Sequence, residues 1–362
     1  MVWRQGASDA YDSVEQPSPW RKGRDFVSAE GEAQVVLEKW DDEIPPPSRA
    51  DELAASAREV GERIGPATRH ILNLLLFAAA VVGAAAGIAV AYMHVVGDPL
   101  NDARAYYDAA ARLNAGQTLY PAGIDPSTNR IYLYPPLLAT LLRPLALLPY
   151  ELFALVWEGI VITTFVLLVR RLGVRRSQTW IWIGILGIPI GWALAVAQAH
   201  IPLTWLIAVG QPWSIALAAN IKLFPALIAL WWLGRRDWES VAAFAMWSML
   251  FVLAQVLFAA NDTFAYFDRI GFEQLGEVRN ISPFVLSPVI WGVLLVVGAL
   301  ATLALARTKW GWAVAVTFAT LAPPRLLVYM LASIVAAVRA PKQEDFDYSS
   351  LDPATPYVRS FR

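Results

Sequence analysis

Asp102 lies near the start of a polar stretch, 97–133, that follows a long apolar run. A carboxylate at such a boundary is placed to take the proton of a hydroxyl presented at a membrane surface, although the same residue could instead cap the helix that follows it. Two cations stand out for the opposite reason: Lys222 and Arg325 lie inside apolar segments, in Lys222-Leu-Phe-Pro225 and in Pro323-Pro324-Arg325. Charges in apolar segments are costly and tend to face a cavity, a partner or a pathway, and broken helices line cavities rather than lipid. If both breaks fall at one end of the protein, the two cations form a site for an anion, phosphate being the obvious one. The alternative is snorkelling to the interface or pairing with a loop carboxylate. Gln198 and His200 finish another apolar run, where they either hydrogen-bond a hydroxyl-bearing ligand or merely cap the helix. Asp98, Asp108 and Asp125 read as solvated loop charges.

The elements that must position these residues follow from composition. Of 362 residues, 57% are hydrophobic and 16% charged, against roughly 25% charged in an ordinary globular domain. Residues 1–70 hold 9 of the 29 Lys/Arg and 14 of the 30 Asp/Glu, so the net charge of −1 averages a segment at −5 with a body at +4. The pattern is that of an all-α integral membrane protein with an acidic N-terminal appendage. Without cysteine there is no disulfide framework, thiolate zinc site or iron–sulfur cluster. Three scattered histidines, His70, His94 and His200, do not make a haem or di-metal centre, and no basic stripe points to nucleic acid. No metal and no cofactor are expected, and no signal peptide precedes the first apolar run near Ile71.

Residues 1–47 read as a disordered acidic tail ending in Ile44-Pro45-Pro46-Pro47. Residues 48–65 read as an amphipathic helix, with Ser48 and Asp51 as a capping box and Leu53, Ala57, Val60 and Ile64 on one face. It is expected to lie on the membrane or on the protein's own cytoplasmic face, or else to dock a partner protein. Since a spanning helix needs about 20 apolar residues, the body over 70–339 divides into spans at 71–95, 151–169, 180–198, 241–259 and 284–305. Regions 201–233 and 311–338 are each broken at their cation into short or hairpinned helices, and 137–148 lies at the interface. About seven to nine membrane segments result. Cationic loops at Arg170-Arg171, Arg175-Arg176, Arg235-Arg236, Arg307 with Lys309, and Arg339 with Lys342 should face the cytoplasm. That orientation places the N-terminus and the 340–362 tail inside, and loops 97–133 and 260–283 outside. It also makes 311–338 an up-and-down hairpin turning at Pro-Pro-Arg. The first outer loop should carry an interfacial helix, with Ala105, Ala109 and Leu113 on one face, ending at Gly116. Arg279-Asn280-Ile281-Ser282 matches an N-glycosylation acceptor pattern, frequent by chance.

Taken together, Asp102 with Tyr106-Tyr107 and Ala109-Ala110, Leu113-x-x-Gly116-x-x-Leu119-Tyr120, Tyr134-Pro135-Pro136 and Pro144-Leu145-Ala146-Leu147-Leu148-Pro149 resemble the start of the glycosyltransferase family 87 proteins. These are membrane enzymes of the GT-C superfamily that include polyprenol-phosphate-mannose-dependent mannosyltransferases. Lys222-x-x-Pro225 before Arg235-Arg236-x-Trp238 is similar to the family's lysine–proline helix and arginine pair. Asn280-x-Ser282 and the break at 322–325 also sit where that family has comparable elements. The resemblance runs from about residue 70 to 338 and implies a GT-C-like polytopic helical bundle. It further implies a polyprenyl-phosphate sugar donor, a lipid-linked or exported glycan acceptor on the outer side, and an inverting hexosyl transfer. On that reading Asp102 is the general base. Lys222 and Arg325 hold the donor phosphate, and Tyr106, Tyr107, Tyr134, Gln198 and His200 line the substrates. The chain departs from the family at Gln198-Ala-His200, where a Gly-Gln-x-Asn is common.

Two other readings remain open. One is a non-catalytic GT-C-like subunit or scaffold of a larger complex, docking a protein partner through residues 1–65. The other is a transporter or flippase for a polyprenyl lipid, for which no internal repeat argues.

Overall fold

A computed structural model describes residues 65–97, 99–121, 132–269 and 279–341. The tail over 1–47 and the amphipathic helix over 48–65, Gly65 apart, lie outside them, as do Asp98, Asp125 and Lys342. The described chain is helical throughout its regular elements: α1 (Pro66–Gly97), α2 (Asn101–Asn114), α3 (Pro136–Leu142), α4 (Tyr150–Leu172), α5 (Ser177–Ile185), α6 (Gly187–Ala195), α7 (His200–Val209), α8 (Pro212–Ile221), α9 (Ala229–Arg235), α10 (Trp238–Arg269), α11 (Pro288–Leu305) and α12 (Gly311–Leu321). Short 3-10 turns and a final 3-10 helix, Val328–Val338, complete it.

Four of these helices, in α1, α4, α10 and α11, are long and apolar enough to cross a membrane. The α5–α6 pair makes a fifth if its 72° bend lies within one span. Large apolar side chains such as Phe77, Leu257 and Val289 stay exposed along them, which water would not tolerate over so wide a surface and lipid does. The protein is therefore a polytopic helical membrane protein, with shorter apolar helices in α7, α12 and Val328–Val338 adding to the long ones.

The long helices pack closely where side chains are missing. Gly83 and Gly87 on α1 meet Gly184, Gly187 and Gly191 on the bent pair. A methyl group at Gly87 would sit 2.3 Å from the Gly187 carbonyl oxygen, and one at Gly187 would sit 2.2 Å from that of Gly83. Lipid supplies no hydrophobic drive between helices, so this backbone-to-backbone approach is what joins α1 to the bundle. Buried amides add to it elsewhere: Gln255 on α10 donates to Asn220 on α8 at 2.9 Å, two residues before Lys222.

The broken regions are built largely as their sequences foretell. Residues 311–338 form a hairpin, α12 and Val328–Val338, either side of Pro323-Pro324-Arg325, and the Trp312 indole donates to the Ala336 carbonyl across its base. Region 201–233 breaks at Lys222, whose backbone is extended (φ −152°). It breaks a second time at Gly210, in the left-handed region (φ +67°) with α8 starting at Pro212; that reversal was not expected. The outer loop placed at 260–283 is shorter than its sequence suggested. Helix α10 kinks at Ala259 and continues to Arg269, so its polar Asn261-Asp262 pair is helical.

The elements share two ends. At one, the Arg171 guanidinium donates to the Ala208 and Val209 carbonyls at 3.4 and 3.2 Å, and Arg339 donates to the Arg171 carbonyl at 2.7 Å. Gly234 packs on Ala306 there, bringing Arg235-Arg236 beside Arg307. The other end holds Asp102, Gln198, Lys222 and Arg325.

Candidate active site

Helix α2 begins where α6 stops. The Leu100 and Asp102 backbone N–H groups donate to the Ala195 and Val196 carbonyls at 3.3 and 3.1 Å. The first orphan donors of one helix thus satisfy the last orphan acceptors of another. Both sides of this junction carry a non-glycine residue in the left-handed region, Leu100 (φ +54°) and Ala197 (φ +55°), a conformation that costs roughly 1–2 kcal/mol per residue. The Trp157 indole holds the Ala197 carbonyl at 2.8 Å. Asp102 is not the cap of α2: it lies within the first turn, after Leu100 and Asn101, and the capping residue uses no side chain.

Gln198 becomes the centre of the cluster. Its Nε2 donates to Asp102 Oδ2 at 2.8 Å. Its Oε1 accepts from the Tyr134 hydroxyl at 2.7 Å and from the Tyr106 hydroxyl by a short bond. The Ala199 N–H donates to the Tyr106 oxygen at 3.2 Å. Burial, and then the nearby Asp102 carboxylate, push the Tyr106 hydroxyl well above its ordinary value near 10. Burial leads for Tyr134 too, with Tyr106 and Asp102 adding to it. Both phenols therefore remain protonated donors.

The Lys222 ammonium lies 5.2 Å from the ring centroids of both Tyr134 and Tyr329. Asp102 and Arg325 are both within electrostatic reach of Lys222, so the four charged or amide groups singled out in the sequence, Asp102, Gln198, Lys222 and Arg325, meet at one end of the bundle. Among the described residues Lys222 has two aromatic faces and no ion-pair partner, an arrangement that leaves its positive charge available to a bound anion. No three His, Cys, Asp or Glu side chains gather as metal ligands among the described residues.

The other expected residues are placed differently. His200 is almost fully buried; its Nε2 meets the Met330 carbonyl and the Ser333 hydroxyl at 2.9 and 2.8 Å, and its ring stacks on Phe224. It braces α7 against the final helix. Tyr107, one residue on from Tyr106 and hence on another face of α2, packs on Tyr150 and Phe153. Asp108 pairs with Arg104 at 3.1 Å.

Three contributors were missed. Tyr329, on the final helix, faces Lys222 from a position no local pattern marks. Asp262, in the part of α10 beyond the kink, accepts from the Thr118 hydroxyl and the Leu119 N–H at 2.7 and 2.8 Å, fastening the loop after α2. Asn280 clasps the Arg325 turn: its Oδ1 accepts from the Ser282 and Leu326 N–H groups at 3.0 and 2.9 Å, and its Nδ2 donates to the Pro324 carbonyl at 3.0 Å. Ser282 adds a bond to the Pro323 carbonyl at 3.0 Å. The Asn-x-Ser pattern is thus a buried clasp.

A sequence profile of glycosyltransferase family 87 matches residues 132–347, beginning after Asp102 and α2. Two curated proteins are similar to the chain, both named polyprenol-phosphate-mannose-dependent alpha-(1-2)-phosphatidylinositol pentamannoside mannosyltransferase. The one from Mycolicibacterium smegmatis is 30% identical over 222 residues, covering 56% of this chain and 53% of its own. The one from Mycobacterium tuberculosis is 26% identical over 254 residues, covering 64% and 57%. The chain spans about half the length of the curated relatives it matches. No solved structure matches it.

Proposed function

The chain belongs to glycosyltransferase family 87, and from that premise we propose that it transfers a mannose-like hexose from a polyprenyl-phosphate donor to a lipid-linked or exported acceptor. The donor class follows the names of its relatives. The observation that carries the reading is the meeting of a carboxylate, Asp102, with two cations, Lys222 and Arg325, at one end of a membrane bundle.

In this mechanism Asp102 accepts the proton of the acceptor hydroxyl as its oxygen attacks the anomeric carbon of the donor sugar. The bond from that carbon to the phosphate oxygen breaks, and the electron pair leaves with the phosphate. Lys222 and Arg325 hold the resulting phosphate monoester, whose charge grows as the bond breaks, which is where fixed cations are worth most. Attack opposite the leaving group inverts the anomeric centre. Tyr134 and Tyr329 screen the Lys222 ammonium from water and keep it over the donor. The gathering of Arg170, Arg171, Arg235, Arg236, Arg307 and Arg339 at the far end supports an orientation with that end cytoplasmic and the site outside. A membrane body over 70–339 then lies between two cytoplasmic tails.

The test is transfer of radiolabelled hexose from polyprenyl-phosphate mannose by the purified protein in lipid, with Asp102→Asn beside it. A loss of roughly 10²–10⁴-fold is expected in the variant, the usual worth of a positioned base. Full activity in the variant removes Asp102 as the base. No transfer by the wild type from any polyprenyl-phosphate sugar overturns the reading in favour of a non-catalytic subunit.

A further inference from the structure

The hydrogen bonds around Gln198 have a direction fixed at their source. A backbone N–H can only donate, so the Ala199 N–H at 3.2 Å makes the Tyr106 oxygen an acceptor there. The Tyr106 proton is then free to go onward, and the acceptor it meets at short range is Gln198 Oε1, with the Tyr134 hydroxyl a weaker alternative at 3.3 Å. Tyr134 donates to the same Oε1 at 2.7 Å. A carboxamide has one oxygen edge and one NH2 edge. With its oxygen taken by two phenols, Gln198 must turn its NH2 toward Asp102, at 2.8 Å from Oδ2. The opposite orientation would set two acceptor oxygens against each other and would be tolerated only if Asp102 carried a proton.

We propose that Tyr106, Tyr134 and Gln198 are positioning residues that act on Asp102 through the amide, holding the carboxylate ionised and aimed for proton transfer. The inference rests on the reading of Asp102 as the base. It moves Gln198, Tyr106 and Tyr134 from contacts with the sugar to control of the group that deprotonates it. The chain of bonds runs one way, from the α6–α7 junction through α2 and the 132–135 segment to the carboxylate, and polarisation along such a chain strengthens its last bond. The groups facing Asp102 are Tyr106 on its own helix, Gln198 at the junction, Tyr134 on the segment before α3, Lys222 at the α8 break and Tyr329 on the final helix. Arg325 acts from the turn beyond Lys222. The two cations also favour the ionised carboxylate, so the amide's share is read as a shift rather than an all-or-none change.

The experiment follows the protonation of Asp102 by infrared difference titration of the protein in lipid, using Asp102→Asn to identify its band, together with the pH dependence of hexose transfer. Gln198→Leu is expected to raise the Asp102 midpoint and the acid limb of the rate by about one pH unit. Tyr106→Phe alone should move both less, because Tyr134 still holds the amide oxygen. The Tyr106→Phe/Tyr134→Phe double variant, which keeps Gln198 but frees it to turn, should reproduce the Gln198→Leu shift. A purely structural role would lower the rate at every pH and leave the midpoint where it is. That result, in variants whose circular dichroism and melting match the wild type, overturns the proposal. The two readings fail separately. A shifted midpoint in a protein that transfers no hexose upholds the positioning of Asp102 and removes the transferase. An unshifted midpoint in an active enzyme does the reverse.

Discussion

Asn280→Ala removes three hydrogen bonds from the Arg325 turn and leaves the Ser282 and Leu326 N–H groups without their acceptor. Each bond contributes on the order of 1 kcal/mol, and a buried orphan donor costs about 1–3 kcal/mol. The turn thus loses roughly 3 kcal/mol of local support, which is enough to displace it. It does not unfold the bundle, because the Ser282 bond to Pro323 and the Ile281 bond to Leu326 remain. If Arg325 holds the donor phosphate from this turn, Asn280→Ala behaves as a partial loss of Arg325. The ceiling is what Arg325→Ala itself costs, about 1.5–3 kcal/mol for a charge-assisted bond, or ~10- to 100-fold. The assay is initial-rate transfer at varied donor concentration. Donor KM should rise about 10-fold in Asn280→Ala, with kcat and acceptor KM changing less. Asn280→Asp, which keeps an acceptor for both N–H groups, should fall between. Because the clasp acts through Arg325, the Asn280→Ala/Arg325→Ala double variant should be no worse than Arg325→Ala. Full additivity of the two losses, or an unchanged donor KM in Asn280→Ala beside a raised one in Arg325→Ala, would refute the argument.

Lys222→Gln, close in length and neutral, should lower kcat/KM for the donor by roughly 10²-fold, the scale of one lost transition-state donor; steady-state kinetics with the same donor read it. Gly87→Leu should lower the melting temperature in detergent and weaken α1 packing, since a Cβ there meets the Gly187 carbonyl at 2.3 Å, with overpacking costing at least about 1–3 kcal/mol. Gly292→Ala, where a Cβ meets nothing within 4 Å, is the neutral control. Burial raises the Tyr106, Tyr120, Tyr132 and Tyr134 hydroxyls above their unfolded value near 10. Their neutral forms therefore favour the folded state fully below about pH 10 and lose that advantage as pH rises toward their folded values. Thermal melts should fall steeply above that pH, and the four Tyr→Phe replacements together should soften the fall.

Features with a local cost were legible in the sequence. Lys222 and Arg325 announced themselves as charges beside prolines in apolar runs, and Gly116 as a helix end, where it sits at φ +67°. The α12 hairpin followed from cations at both its ends. What depended on distant partners was not legible. Gln198 reads as a helix terminus until Asp102 and Tyr106, more than 90 positions away, are brought to it. Asn280 carried a familiar acceptor pattern that concealed a clasp on residues 323–326. Asn261-Asp262 looked like the start of a loop because polar residues usually end a span, whereas Asp262 is buried on Thr118 and Leu119. The Gly210 reversal is signalled only by one glycine and Pro212, and neighbouring apolar residues masked it. The contact of α1 with the bent pair rests on Gly83-x3-Gly87 and Gly187-x3-Gly191, a spacing that span length and charge counting do not register.

The junction of α6 with α2 also couples the Asp102 backbone to a helix of the membrane bundle. An apolar segment longer than the hydrocarbon core fits it by tilting or kinking, and the α5–α6 pair, bent by 72° between its halves, has a joint at which to do so. Asp102 is tied to the last carbonyls of α6 through its own backbone. Any tilt taken up by that helix is therefore carried to the carboxylate, while Lys222 and Arg325 sit at breaks in other parts of the bundle. If Asp102 is the base, acyl-chain length becomes a lever on the gap between base and cations, and hexose transfer should change with membrane thickness.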